Sequence, residues 1–131
     1  MTIDAVLSAN RAFYRAFATR DLDAMDRIWA RRAEVACIHP GAKPILGRRE
    51  VMASWRDILA AGGGPRIETR GERTLLLGAA ALVLCEEVLG KGVLAASNLF
   101  VVEDGEWRLA HHQAGPVAAD APPPGPGPTL H

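Results

Sequence analysis

Among the side chains able to move a proton at neutral pH, three stand out in this sequence, and two amides can hold the oxygen on which charge builds. Imidazole titrates near neutrality, so His39 and His111 can each act as acid or base, with Glu87 as a carboxyl partner or orienter. Asn98 and Gln113 carry amides suited to holding a developing oxyanion. These residues are scattered in the chain, so the elements that carry them decide whether they meet.

A hairpin brings most of them together. In AASNLFVVEDGEWRLAHHQAGP, Ala95 to Pro116, apolar residues alternate on both sides of Asp104-Gly105, a dipeptide that favours the tight primed turn. With those two residues as the turn, Val102 faces Trp107, Phe100 faces Leu109 and Asn98 faces His111. Side chains alternate with period two. One face therefore carries Phe100, Trp107 and Leu109 near the turn, then Asn98, His111 and Gln113 further on. An apolar floor grading into a polar end is the lining of a small-molecule pocket. His112 points to the opposite face, as an interface or surface group. A second turn at Gly90-Lys91 sets Val88 against Val93, Cys85 against Ala96, Val83 against Asn98 and Ala81 against Phe100, which adds Glu87 to the same face.

Helices precede these strands. Ile3, Val6, Leu7, Phe13, Tyr14 and Phe17 fall at helical spacing, with Thr2 as N-cap and the helix running to about Ala18. Asp21 caps a shorter helix with Leu22, Met25, Ile28 and Trp29 inward, ended by Arg31-Arg32. Glu34 to His39 reads as a first strand closed by Pro40-Gly41. RREVMASWRDILAA, Arg48 to Ala61, buries Val51, Trp55, Ile58 and Leu59 before Gly62-Gly63-Gly64 breaks it. Strands then follow at about 66 to 77, 80 to 89, 93 to 103 and 106 to 115 in an antiparallel meander. Helices first and sheet last is the α+β signature. Residues 117 to 131, rich in Pro and Gly, read as a disordered tail, leaving a single domain over residues 1 to 116.

Composition narrows the function. The chain has 131 residues, enough for one domain with a real core, and 15 basic residues balance 15 acidic ones. No charge block marks nucleic acid or an anionic membrane as a partner. The N-terminus has neither a signal-peptide core nor a membrane span, so a cytoplasmic location is expected. Cys37 and Cys85 sit in apolar runs and read as reduced core thiols. Nothing has metal-ligand spacing, and there is no phosphate loop, nucleophile elbow or dinucleotide fingerprint, so no metal or cofactor is expected. The face opposite the pocket carries Leu82, Leu84, Leu99, Val101 and Ala110, too apolar for water, which implies a homodimer through the outer sheet face.

FYRAFATRDLDAM, CIHPG, LGRREVMASW and NLFVVEDGEWRLAHHQAG together resemble the SnoaL-like branch of the NTF2-like superfamily. The resemblance implies a curved sheet wrapped around a long helix as a cone, with a pocket at its open end. It does not choose among isomerases, cyclases, dehydratases and association domains. Tyr14 stands where the steroid isomerases of this superfamily place an oxyanion-donating Tyr, but the strands offer no second Asp, so that set is incomplete. A cyclase-like arrangement, with His as base and Asn or Gln as enolate stabiliser, stays open.

The expected catalytic set is thus His111, Glu87 and His39, with Tyr14, Trp29, Trp55, Asn98, Phe100, Trp107 and Gln113 against a small, mainly apolar carbonyl compound. A cofactor-independent isomerase, cyclase or dehydratase fits this set. So does a non-catalytic ligand-binding or association domain, because burial alone can account for His111, and the helical aromatics serve equally as core.

Overall fold

The fold is known from a computed structural model that describes residues 2–62 and 66–118. Helix α1 (Ile3–Thr19) starts where the Thr2 hydroxyl accepts the Ala5 N–H at 3.1 Å, and it buries Val6, Asn10, Phe13 and Ala16. Helix α2 (Leu22–Ile28) is capped by the Asp21 carboxylate and ends before the Arg31-Arg32 pair expected to close it. Trp29 leaves the helix extended, in a parallel bridge with Leu109. Helix α3 (Arg48–Ala61) occupies the whole segment read for it and turns Val51, Met52, Trp55 and Leu59 inward.

Among the described residues, six strands form one sheet in the order β2-β1-β6-β5-β4-β3. The meander is β3 (Glu68–Leu77), β4 (Ala80–Leu89), β5 (Gly92–Glu103) and β6 (Glu106–Pro116), all antiparallel neighbours. Strand β1 (Ala36–Ile38) is shorter than read and joins the far edge of β6 in parallel, while β2 (Ile45–Leu46), absent from the sequence reading, pairs with β1. The helices cover the inner face. Phe13, Trp29, Trp55, Phe100 and Leu109 are each at most 1% exposed and form the centre of the core. Among the described residues, three helices on a six-stranded mixed sheet make an α+β architecture.

Two registers behave differently. The β4–β5 pairing holds over its full length as read, Val88 with Val93 through Ala81 with Phe100. The β5–β6 pairing holds only near its turn, where Asp104 and Gly105 take φ of 53° and 76° as a primed turn requires. Phe100 faces Leu109, but Leu99 faces His111 and Asn98 faces His112, so Ala110 is an extra residue on β6. This β-bulge reverses the alternation beyond it. It falls where β6 changes its outer neighbour, from Trp29-Ala30, whose Ala30 N–H donates to the Leu109 carbonyl, to β1, which begins opposite His111. Accordingly, the expected pairing of Asn98 with His111 is wrong, and His112 is the inward imidazole.

Residue 117, read as the start of the tail, still pairs with the sheet, its N–H donating to the Val93 carbonyl at 2.9 Å. Residues 119–131, like Gly63 and Gly64, lie outside the described residues.

Candidate functional site

A cavity of about 210 Å³ lies between α1, α3 and the inner face of the sheet. Phe13, Phe17, Trp55, Ile67, Leu89 and Leu94 supply its apolar wall, and Pro40 lies on its lining as well. Its polar groups are Tyr14, His39, Glu87 and His112. A cleft of about 600 Å³ adjoins it, sharing Tyr14, Phe17 and Ile67 and carrying Arg20 and Arg66. Among the described residues neither arginine has a carboxylate within ion-pair distance.

Behind the cavity wall runs a hydrogen-bonded chain that fixes these polar groups. Tyr14 donates its hydroxyl to Glu87 Oε2 at 2.6 Å and accepts from Asn98 Nδ2 at 3.1 Å. Asn98 Nδ2 also donates to Asn10 Oδ1 at 2.8 Å, and Asn98 Oδ1 lies 2.5 Å from His112 Nδ1. Asn10 and Asn98 are fully buried, so every one of these bonds counts: an unpaired polar atom there costs about 1–3 kcal/mol. On the opposite wall, Ser54 donates its only hydroxyl hydrogen to the Val51 carbonyl at 2.6 Å. The His39 Nε2 contact with Ser54 Oγ at 2.9 Å is therefore a donation by His39, which leaves Nδ1 bare.

Burial sets the charge states. Desolvation pushes His112 down to about 3, helped by the nearby imidazoles of His39 and His111, and pushes His39 down as well. The same burial raises Glu87, against the lowering effect of the Tyr14 hydrogen bond, and raises the Tyr14 hydroxyl, which also faces Glu87. The cavity thus presents neutral imidazoles beside a carboxyl held towards its neutral form. Cys37, pushed up to about 12 by burial, is a thiol in the core, and Cys85 is buried and raised likewise.

Of the residues singled out from the sequence, Tyr14, His39, Trp55 and Glu87 lie on the cavity lining, with Asn98 directly behind it. His111 does not: it is on the outer face, beside Arg31, Leu46 and Leu99. Gln113 is exposed, on the same side of the bulge-shifted strand as His111. Trp29 and Phe100 are sealed in the core away from the cavity, and Trp107 is half-buried at the turn end of the hairpin beside Leu76 and Leu77. The floor and the polar end expected on one hairpin face are in fact separated by the bulge. Asn10 and His112 were missed. Asn10 could have been found, since it falls at helical spacing between Val6 and Phe13 or Tyr14, an amide in the middle of an apolar stripe.

Known proteins agree with this architecture. The SnoaL-like domain family matches residues 6–119. A candidate dehydratase of the NTF2-like family from Streptomyces avermitilis is 29% identical, covers 89% of this chain and 96% of its own, and superposes with a TM-score of 0.82. A candidate calcium/calmodulin-dependent protein kinase type II association domain from Thiobacillus denitrificans is 35% identical over 83% of this chain and 92% of its own, with a TM-score of 0.74. The F-box protein SKIP8 of Arabidopsis thaliana is 29% identical over 121 residues, 91% of this chain, but the chain spans only 52% of that protein. With the family pattern running from α1 past the end of β6, this chain belongs to the SnoaL-like domain family of NTF2-like folds.

Proposed function

We propose that the cavity binds a small, uncharged, mainly apolar carbonyl compound and moves protons on it. The observation that carries this reading is a buried carboxyl, Glu87, and a buried imidazole, His112, on one small chamber walled by aromatic rings, with burial favouring the uncharged form of each. A cavity of about 150 Å³ accommodates benzene, so a chamber of 210 Å³ suits a ligand of about one ring. Any longer substituent would extend into the adjoining cleft. Glu87 donates its proton to the carbonyl oxygen while His112 Nε2 takes one from the neighbouring carbon, and the C–H electron pair becomes the C=C bond of an enol. Alone, an imidazole pushed down to about 3 is a weak base. Here the proton it accepts is matched by the one Glu87 releases, so opposite charges form together in a low-dielectric site. Isomerases and dehydratases both use such a step, and the similarity to the Streptomyces avermitilis protein supports this class.

Exchange of α-hydrogen for deuterium on small cyclic ketones, followed by NMR in heavy water, tests the reading. The protein is expected to accelerate exchange, and His112→Gln and Glu87→Gln to lower the rate by about 10² to 10⁴. Binding without exchange would leave a ligand-binding domain, and no binding at all would overturn the reading.

Self-association is a second, compatible role. It is favoured by the outer sheet face, where Leu75 and Leu84 are 45% and 38% exposed beside half-buried Leu82, Leu99 and Val101, and by the similarity to an association domain. Leu99→Arg should convert a dimer to monomer in sedimentation, and a monomeric wild-type chain would rule the dimer out.

A further inference from the structure

The inner face holds a carboxylate, Glu72, that neither the cavity nor the proposed chemistry uses. Strand β3 carries its own irregularity: Arg70 faces Glu86 and Arg73 faces Leu84, so β3 has one residue more than β4 between them. Gly71, at φ +67°, supplies the left-handed conformation such a bulge needs. Thr69 and Thr74 pair with inward Glu87 and Val83, and the extra residue is what brings Glu72 to that same face. There Glu72 Oε2 accepts from Asn10 Nδ2 at 3.3 Å, while Oε1 lies 3.3 Å from the Arg11 guanidinium.

From this geometry we infer that Glu72, acting through Asn10 and Asn98, is a positioning residue that fixes which nitrogen of His112 carries the hydrogen. An ionised carboxylate only accepts. Asn10 must therefore turn its Nδ2 to Glu72 and its Oδ1 to Asn98. Asn98 must answer with Nδ2, which also serves Tyr14, and so presents Oδ1 to His112. A carbonyl oxygen there requires hydrogen on Nδ1, which leaves Nε2 bare.

The opposite polarity fails at one point only. Turning both amides would keep the Asn10–Asn98 bond and place a donor against a bare His112 Nδ1, and Tyr14 could follow by donating to Asn98 Oδ1 while accepting from a protonated Glu87 carboxyl. Nothing, however, relieves Asn10 Oδ1 set against Glu72 Oε2, two acceptors at 3.3 Å. Glu72 is thus the group that breaks the symmetry of the relay. Without it two buried amides in series have no internal reason to choose a direction. Two bulges, at Gly71 and Ala110, supply the two ends of the relay, Glu72 and His112.

The tautomer is a property of the free protein, so its test needs no ligand and stands apart from the proposed proton transfer, which depends on it for a bare Nε2. Long-range proton–nitrogen NMR on ring-labelled histidine distinguishes a protonated from a bare nitrogen by chemical shift. The wild-type chain is expected to show His112 almost wholly as the Nδ1–H form. Glu72→Gln replaces an obligate acceptor with an amide that satisfies Asn10 in either direction, and should raise the Nε2–H form to a readily visible fraction. The double variant Glu72→Gln, Asn10→Asp moves the obligate acceptor one step along the relay, where it accepts from both Asn98 and Gln, and should restore the Nδ1–H form. A purely structural Glu72 would change the melting temperature of the single variant and leave the tautomer alone. Nε2–H as the main wild-type form would overturn the inference. So would an unchanged tautomer in Glu72→Gln or, should that variant not fold, failure of the double variant to hold the Nδ1–H form.

Discussion

The two ends of the β5–β6 hairpin obey different rules. Near the turn, Phe100 meets Leu109 and Val102 meets Trp107 in the register that Asp104-Gly105 dictates. Beyond Ala110 every side chain of β6 is reversed, which puts His112 inside and His111 outside. The turn end is apolar and its partners are interchangeable in kind. At the far end a one-residue shift exchanges a buried, hydrogen-bonded imidazole for a half-exposed one. A local turn signal controls pairing only until another part of the fold competes for the same strand, and here the competition comes from the second edge of β6, where Trp29-Ala30 gives way to β1.

The contrast can be broken most forcefully at its apolar end. Phe100→Ala removes a fully buried ring from the centre of the core and should cost about 3–5 kcal/mol in urea unfolding, without reversing β6.

Acid attacks the other end. His112 is held near 3 in the folded protein against an ordinary value of 6.5, so between these pH values the unfolded chain binds more protons than the native one. Stability therefore falls as pH drops through that window and is flat above it, a loss on the order of 5 kcal/mol at its limit. His112→Gln should flatten this slope. Glu87 works in the opposite sense: its folded value is raised, so the stability it lends by being neutral is present at low pH and is lost as pH rises through that folded value. Melts of Glu87→Gln across the same range separate the two.

A smaller effect distinguishes the neighbouring histidines directly. His112→Ala leaves Asn98 Oδ1 buried without a donor and should cost about 1–3 kcal/mol, whereas His111→Ala on the outer face should stay within about 0.5 kcal/mol. Equal effects would mean that the register of β6 is not the one described.

Much of this protein was legible in its residues. Helix caps at Thr2 and Asp21, the apolar stripes of α1 and α3, the Asp104-Gly105 turn and the full register of β4 against β5 all follow from local spacing, because each depends on neighbours within a few positions or on one turn. The family resemblance added the cone and its pocket. Tyr14, Trp55, His39 and Glu87 were placed on that pocket from the same patterns.

What spacing could not supply is phase. Period-two alternation holds only while no residue is inserted, and both bulges insert one. Gly71 left a trace, since an isolated glycine within a strand pattern marks a bulge. Ala110 left none, because an alanine fits either side of a strand and the cause lies in Trp29, Ala30 and Ala36, residues more than seventy positions away. The sequence by itself determined which side chains were available for chemistry and which helices and turns would form. Only the tertiary structure decided that Glu72 and His112 face inward and His111 and Gln113 do not, since a strand with two edges settles its phase by satisfying the backbone groups on both.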